Sequence, residues 1–328
     1  MWNHLQGGAA LYFSNYNGKY MNEWINELNP NIALLYNALA DEETREETIQ
    51  AILSIEKSDN TEIAREQFKI AKTKLLASNT KINCIPKTKW SEIACNTFIV
   101  YSQSFNIGAK SFSKQKKAEK YKWETRRNLL NAVERLKMQP KITQVDGLSV
   151  IDAVKDKEEV QIFCDWPYIG LYRDQSNLYI NEMSGLYAHI VAAQKLKDCK
   201  AAAVICDYRS QHECVPTVYD AILGDDWHCY KIADTYKKCQ VVQYGQAKRK
   251  AQEYVWTNRV PENAGLYLSL VDYKEKITMD EYWEKIREAC INRRVKEKHI
   301  LEYLTTYRKL YNGKSLFDKE LEKKFSRI

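Results

Sequence analysis

The feature that most restricts how this chain can fold is a short apolar segment that ends in a cluster of polar and aromatic residues. Residues 160–164, Val-Gln-Ile-Phe-Cys, have the length and apolar character of a short buried strand. Asp165, Trp166, Pro167 and Tyr168 follow at once. In open α/β sheets, ligands bind beyond the carboxyl ends of the strands. The sequence therefore predicts an α/β fold with a binding site at residues 165–168.

These four residues suit the recognition of a flat ring that carries an amino group. Asp165 can accept a hydrogen bond from an exocyclic amine. The backbone carbonyl of Trp166 is a second acceptor, and its position is restricted because Pro167 follows it. Tyr168 offers a ring face for stacking. The residue types thus indicate an amine-bearing heterocycle as the ligand.

Three further segments accompany this motif in a defined order. They are Gly7-Gly8-Ala9-Ala10-Leu11-Tyr12-Phe13, then Asn26-Glu27-Leu28-Asn29 with Leu34-Leu35-Tyr36 after it, and finally Glu253-Tyr254-Val255-Trp256-Thr257-Asn258. Together with residues 165–168, their order and spacing over roughly residues 5 to 260 resemble the Dam-type adenine-specific DNA methyltransferases. In that family, Asp-Pro-Pro-Tyr stands where this chain has Asp-Trp-Pro-Tyr.

The resemblance implies a fold and an activity. The expected fold is α/β, a Rossmann-like S-adenosylmethionine-dependent methyltransferase sheet with a helical target-recognition insertion and a helical C-terminal extension. Residues 1–40 and 137–263 would form the catalytic domain, residues 41–136 the DNA-recognition insertion, and residues 264–328 the extension. The expected activity is methyl transfer to an adenine exocyclic amine in double-stranded DNA, with residues 165–168 as the catalytic residues.

The resemblance also implies a cofactor site for S-adenosylmethionine. Gly7, Gly8 and Ala9 would form the cofactor loop, Glu27 would bind the ribose hydroxyls, and Asp146 would contact the adenine. Each position has a simpler interpretation. Gly7-Gly8 can be a tight turn, Glu27 can be an acid at a helix N-terminus, and Asp146-Gly147 can be a turn without a ligand.

A basic run with interleaved aromatic residues follows the turn predicted at residues 106–108. Its cations suit contact with a phosphate backbone, although a solvated helix face has the same composition. The family resemblance favours DNA contact. The predicted DNA-binding residues are Lys110, Lys114, Lys116, Lys117, Lys122, Arg126 and Arg127.

Local patterns predict further elements. Asn60 is a candidate N-cap, and the residues after it have helical spacing. Helices are also expected over residues 129–137 and 184–197. A further helix is expected after Thr278, which forms a capping-box pattern with Glu281. The predicted strands are residues 19–27, 142–145, 201–206, 227–232, 239–244 and 253–258, with a mobile link at residues 245–251.

Composition limits the class of protein. The 328 residues carry a net charge of +7, which permits a polyanionic partner. No apolar run is long enough for a membrane span, so no membrane partner is expected. The nine cysteines form no Cys-x-x-Cys pair and are typical of reduced thiols in a cytoplasmic protein. The family resemblance implies a protein of prokaryotic or phage type that acts on DNA. The residues Cys206, His212, Cys214, His228 and Cys229 match no familiar zinc spacing, and no metal is expected.

Two departures from the family pattern leave alternatives open. Trp166 replaces the first proline of the motif, and an upstream segment with a Gly-Lys pair is not present before Gly7, so a companion chain could supply it. One alternative is a catalytically degenerate relative that binds DNA or a partner chain. The other is methylation of a cytosine exocyclic amine, which the same motif chemistry allows.

Overall fold

The computed structural model describes residues 12–13, 22–56, 59–104, 109–113, 127, 129–172, 183, 185–209, 215–236, 250–260 and 271–317. They belong to two compact units, the first containing the described residues up to Val150 and the second those from Ile151 onward. Each unit contains both helices and strands. The predicted mixed α/β class is therefore confirmed at this level.

The first unit is mainly helical, with one small sheet. Its elements are β1 (Trp24–Asn26), α1 (Pro30–Ala40), α2 (Arg45–Leu53), α3 (Thr61–Thr73), α4 (Trp90–Gln103), α5 (129–136), β2 (Lys141–Thr143) and the start of α6 (Gly147–Val154). Short 3-10 turns cover Ile82–Cys84 and Lys87–Lys89. The predicted helical character of residues 41–136 is confirmed for α2 to α5, whereas Ser104 and Phe112 form an isolated antiparallel bridge.

Helix α1 forms the centre of this unit. Asn29 caps it by accepting a hydrogen bond from the Asn31 N–H at 3.0 Å, and Pro30 occupies the first turn, where a missing N–H costs nothing. Nearly all of its side chains are buried, including the fully buried Leu34 and Leu35. Helix α4 contributes Phe98 to the same core. Burial of this central helix explains why its sequence is apolar on every side.

The predicted cap of α3 is also present. The Asn60 side chain accepts hydrogen bonds from the N–H groups of Glu62 and Ile63. Ala64, Phe68 and Ala71 are buried at helical spacing, as predicted. The helix therefore begins where its polar cap satisfies the first free N–H groups and where its apolar face can be buried.

Strands β1 and β2 pair in parallel, with Trp24 opposite Lys141 and Asn26 opposite Thr143. Because both strands run in the same direction, the residues that follow them lie at one edge of the sheet. Those residues include Glu27 and Asp146, both of which are predicted cofactor contacts.

The second unit contains a four-stranded sheet with helices. Its elements are β3 (Gln161–Cys164), a 3-10 turn (Gly170–Tyr172), α7 (Leu186–Leu196), β4 (Ala202–Tyr208), α8 (Val218–Ile222), β5 (His228–Tyr236), β6 (Lys250–Thr257), α9 (Met279–Ile291) and α10 (Glu297–Leu310). The strand order is β3-β4-β6-β5. β3 and β4 are parallel, while β6 is antiparallel to both β4 and β5. Strands are confirmed within the predicted ranges 160–164, 201–206, 227–232 and 253–258. The prediction that the first of them is buried is wrong: β3 is an edge strand in which Gln161 and Phe163 are exposed and only Cys164 is buried, because the face that carries Gln161 and Phe163 is open to solvent.

The C-terminal helices begin as the sequence predicts. Thr278 and Glu281 form a reciprocal capping box at the start of α9, with Glu281 Oε2 accepting the Thr278 N–H at 2.8 Å. In α10, Glu302 Oε1 accepts the Leu186 N–H of α7 at 2.9 Å. These helices therefore pack within the unit that holds the four-stranded sheet.

Some predictions differ from the structure or lie outside it. Lys250 and Ala251 belong to β6, so the predicted link at 245–251 is wrong at these two positions, because the pairing with β5 continues to Lys250. The strand at 239–244 and the turn at 106–108 lie outside the described residues. The domain boundaries were inferred from the family resemblance, and they stay a prediction. No helix in the described part of the chain is long and apolar enough to cross a bilayer.

Candidate functional site

Asp165, Trp166, Pro167 and Tyr168 form the turn that leaves β3 at its carboxyl end, as predicted. Cys164 pairs with Ile205, so β4 continues beyond the end of β3 to Tyr208. All four side chains of the turn are half-buried. The turn therefore keeps contact with solvent while its supports lie inside the unit.

Asp207, near the carboxyl end of β4, holds the end of the turn through hydrogen bonds. Its side chain is fully buried. Oδ2 accepts the backbone N–H of Ile169 at 3.2 Å, and Oδ1 accepts the N–H of Tyr208 at 2.7 Å. Because Ile169 directly follows Tyr168, this carboxylate fixes the point at which the turn ends.

The hydroxyl of Tyr219, in α8, joins three side chains. It donates to Asp207 Oδ2 at 3.2 Å, accepts from Trp166 Nε1 at 3.2 Å and contacts His189 Nδ1 at 2.6 Å. The His189 ring also lies edge-on to the Trp166 indole, with centroids 5.9 Å apart. Burial, and next the charge of Asp207, raise the pKa of Tyr219 well above its ordinary value. The phenol therefore keeps its proton at neutral pH and orients Trp166.

The hydrogen bonds of this cluster restrict where its protons can lie. His189 Nε2 contacts the Met183 carbonyl oxygen, which can only accept, so Nε2 carries a proton. The Tyr219 hydroxyl has one proton, which it can donate to Asp207 Oδ2 or to His189 Nδ1 but not to both at once. Asp207 Oδ2 also accepts the Ile169 N–H, so this carboxylate keeps a donor in either arrangement.

The Tyr168 ring packs against the end of β4, and its stacking on a ligand stays a prediction. Its ring lies edge-on to Tyr208, with centroids 4.8 Å apart and an interplanar angle of 84°. Burial, with a contribution from the charge of Asp165, raises the pKa of Tyr168. The phenol therefore stays neutral, and its ring is held at a fixed angle against the end of β4.

A second network, centred on the buried Asp220, links elements around the same sheet. Arg209 Nη2 lies 2.8 Å from both Asp220 Oδ2 and Glu275 Oε1, and Trp256 Nε1 donates to Asp220 Oδ1 at 2.8 Å. Burial raises the pKa of Asp220 to about 6, although the charge of Arg209 opposes the rise. This network ties α8 to β6 and to the segment before α9, so it supports the helix that carries Tyr219.

In the first unit, Glu27 lies just beyond β1, as predicted for a ribose ligand. Its N–H donates to the Thr143 carbonyl at 2.9 Å, and its Oε1 accepts the Asn29 N–H at 2.8 Å. Burial raises the pKa of Glu27 to about 7, and the hydrogen bond from Asn29 offsets part of that rise. The side chain nevertheless keeps partial exposure. Glu27 lies two residues before the Asn29 N-cap of α1, so it is outside the first turn of the helix, and its contact with a ribose stays a prediction.

Asp146 has the geometry of the alternative that the sequence left open. Its side chain is exposed, and Oδ1 accepts the Leu148 N–H at 3.2 Å. Its carbonyl oxygen accepts the Ser149 hydroxyl at 2.6 Å. Asp146 therefore forms the turn that begins α6, and its contact with an adenine stays a prediction.

The donors and acceptors at this edge fit a nucleoside. A ribose presents two hydroxyl donors, and the Glu27 carboxylate is an acceptor with only one of its oxygens bound to Asn29. Desolvation strengthens such hydrogen bonds. Gly7, Gly8 and Ala9, the predicted cofactor loop, lie outside the described residues.

Only two of the predicted DNA-binding residues are described. Lys110 and Arg127 are both exposed. The Lys110 carbonyl accepts a hydrogen bond from Lys72 Nζ at 2.8 Å, and Phe112 lies edge-on to Phe68 at 5.7 Å, which fixes residues 110–112 on α3. Lys114, Lys116, Lys117, Lys122 and Arg126 lie outside the described residues. DNA contact through this run stays a prediction.

Sequence reasoning missed His189 and Tyr219. Each lies in a helix among apolar neighbours, where a single polar residue has no nearby partner in sequence to mark it. Asp207 carries a weak signal, because it ends an apolar strand. Its two buried partners become visible only when the helices are packed on the sheet.

The chain matches no protein-family model and no curated protein. In the part of the chain that the structure describes, no group of three or more His, Cys, Asp or Glu side chains is arranged to hold a metal ion.

Proposed function

We propose that this protein transfers a methyl group from S-adenosylmethionine to the exocyclic amine of an adenine in double-stranded DNA. The observation that carries the proposal is the Asp165–Tyr168 turn, which leaves a parallel strand at its carboxyl end and rests on buried Asp207 and Tyr219. The proposal combines this geometry with the motif resemblance.

The chemistry needs alignment more than it needs a reactive side chain. The target amine is buried in the base stack, so the base must be flipped out. Asp165 and the Trp166 carbonyl would accept the two amine hydrogens and direct the nitrogen lone pair, while Tyr168 would stack on the ring. S-adenosylmethionine, when bound, supplies an electrophilic methyl group on a sulfonium. The protein then contributes orientation and electrostatic complementarity.

Trp166 is compatible with this role. The acceptor at this position is a backbone carbonyl, which any residue provides. The proline ring of the family motif would restrict the backbone, whereas here a hydrogen bond from Trp166 Nε1 to Tyr219 and the contact with His189 hold the side chain. Tertiary contacts therefore replace a covalent constraint.

The cofactor would be held at the edge of the first unit. The ionised Glu27 carboxylate would accept hydrogen bonds from the ribose hydroxyls. Because the pKa of Glu27 is raised to about 7, deprotonation near neutral pH would accompany binding. β1 and β2 are parallel, and so are β3 and β4. Each pair, taken by itself, has the strand direction found in a doubly wound sheet.

The test is transfer of a radiolabelled methyl group from S-adenosylmethionine to duplex DNA by the full chain and by Asp165→Asn. This substitution keeps the size of the side chain but replaces an acceptor with a donor. We expect the rate to fall by about 10²–10³, the usual effect of losing one aligned hydrogen bond to the reacting group, with DNA affinity unchanged. Asp225→Asn, at an exposed position of the same unit, is the matched control.

Two results would contradict the proposal in different ways. Full activity in Asp165→Asn would remove Asp165 from the catalytic site. A wild-type chain that binds DNA but transfers no methyl group would favour the alternative, a degenerate relative that acts as a binding module. Addition of a companion chain that restores transfer would point to a divided enzyme.

A further inference from the structure

The side chain of Gln103 is buried without the hydrogen bonds that it needs. Gln103 ends helix α4 and is only 3% exposed. Neither its Oε1 nor its Nε2 has a hydrogen-bond partner among the described residues. A buried amide with both ends unsatisfied costs stability, so such a group in a folded protein calls for an explanation.

The other buried polar side chains of α4 provide a direct comparison. Asn96 and Thr97 donate to the Glu92 and Ile93 carbonyls, each at 2.8 Å. The remaining two are Ser91, whose hydroxyl lies 3.0 Å from that of Thr48, and Ser102, which donates to Ile99 at 3.3 Å. Gln103 is therefore the exception among these polar side chains of α4.

The backbone around Gln103 is firmly held. Its carbonyl accepts the Ser113 N–H at 2.8 Å, and the next residue, Ser104, forms an antiparallel bridge with Phe112. The Ser104 hydroxyl also donates to the Ser111 carbonyl at 3.2 Å. These contacts hold the backbone at the end of α4 in place.

The end of α4 also lies next to the edge that holds Glu27. The Tyr101 hydroxyl accepts a hydrogen bond from Asn29 Nδ2, and the Asn29 N–H binds Glu27. On the other side, the segment bridged to Ser104 leads into the basic run that begins at Lys110. Gln103 therefore lies two residues from Tyr101, which contacts Asn29, and its carbonyl is bound to Ser113, three residues after Lys110.

We propose that the Gln103 side chain binds the N6–N7 edge of an adenine ring. A primary amide presents one donor and one acceptor side by side, and adenine N7 and the N6 amine are the complementary pair that Gln and Asn bind in a bidentate manner. The inference rests on the proposed function, which provides two sources of the same ring, the cofactor and the DNA. Binding would satisfy both orphaned atoms at once.

The test compares adenine ligands with their 7-deaza analogues, in which a C–H replaces the N7 acceptor. Calorimetric titrations of the full chain would use S-adenosylmethionine and its 7-deaza analogue in one series. A second series would use a duplex with adenine or 7-deazaadenine. We expect wild type to lose about fivefold to tenfold in affinity in one series, the usual effect of one hydrogen bond. That series identifies the source of the ring.

Gln103→Met provides the matched change, since methionine has a similar length and no polar end. We expect this variant to bind both members of each series equally and to melt at a higher temperature than wild type, because no orphaned amide remains. Asn96→Leu, which removes a satisfied amide from the same helix, is the control. It should melt at a lower temperature and keep the discrimination of wild type.

The possible failures are distinguishable. If wild type binds adenine ligands but does not discriminate against either 7-deaza analogue, or if Gln103→Met still discriminates, the inference is overturned and the proposed function stands. If wild type binds neither S-adenosylmethionine nor DNA, the proposed function fails and this inference fails with it.

Discussion

Replacing Tyr219 with phenylalanine tests whether its hydroxyl holds the turn at residues 165–168. The ring, which lies 5.0 Å from that of Trp256, would remain. His189 and Asp207 are fully buried, and each contacts this hydroxyl. Asp207 would still accept the N–H groups of Ile169 and Tyr208, so the main cost is the lost hydrogen bond at His189 Nδ1, about 1–3 kcal/mol. The half-buried Trp166 N–H can turn to water. We therefore expect the free energy of unfolding to fall by about 2 kcal/mol.

The measurement is urea denaturation at neutral pH, with Tyr230→Phe as the control. Tyr230 is also buried in the second unit, and its hydroxyl makes no hydrogen bond to a described side chain, so its substitution should change stability by less than about 0.5 kcal/mol. A second readout is exchange of the Trp166 indole N–H with solvent, which should accelerate in Tyr219→Phe only. A stability loss under about 1 kcal/mol together with unchanged exchange would refute the reasoning.

Two further predictions concern charge. The pKa of Glu27 is about 7 in the folded protein against 4.5 ordinarily, so the folded state binds the proton more tightly and stability falls as pH rises between these values. Glu27→Gln should remove this pH dependence from the denaturation curves and raise the free energy of unfolding by on the order of 2–3 kcal/mol at pH 8. The same variant should lose S-adenosylmethionine binding in calorimetry. An unchanged slope would show that Glu27 is not the group that titrates. Charge reversal at Lys114, Lys116 and Lys117 should lower the salt dependence of DNA binding by about three phosphate contacts in a fluorescence titration, whereas an unaltered slope would identify this run as a solvated helix face.

Several elements could be predicted because neighbouring residues determine them. Asn60 and the Thr278–Glu281 pair satisfy helix N–H groups within one turn, so the signal and the structure lie in the same few residues. The apolar segments of β3 and β4 likewise indicate strands without reference to the rest of the chain. Asp165–Tyr168 and Glu27 could be placed because they directly follow strands.

Other features depended on distant parts of the chain. Tyr219 meets Asp207, His189 and Trp166 across separations of 12, 30 and 53 residues, and no local pattern marks those pairs. The raised pKa of Glu27 arises from burial, which follows from packing rather than from the glutamate itself.

Local sequence was enough to predict the mixed α/β class, the position of most elements and the location of the Asp165–Tyr168 turn at a strand end. The packing of distant elements, in contrast, sets which side chains support that turn, and it buries Gln103 away from hydrogen-bond partners among the described residues. Helix caps and strands depend on hydrogen bonds and side-chain patterns within a few residues of one another. The environment of a buried polar group is instead set by every element that packs against it.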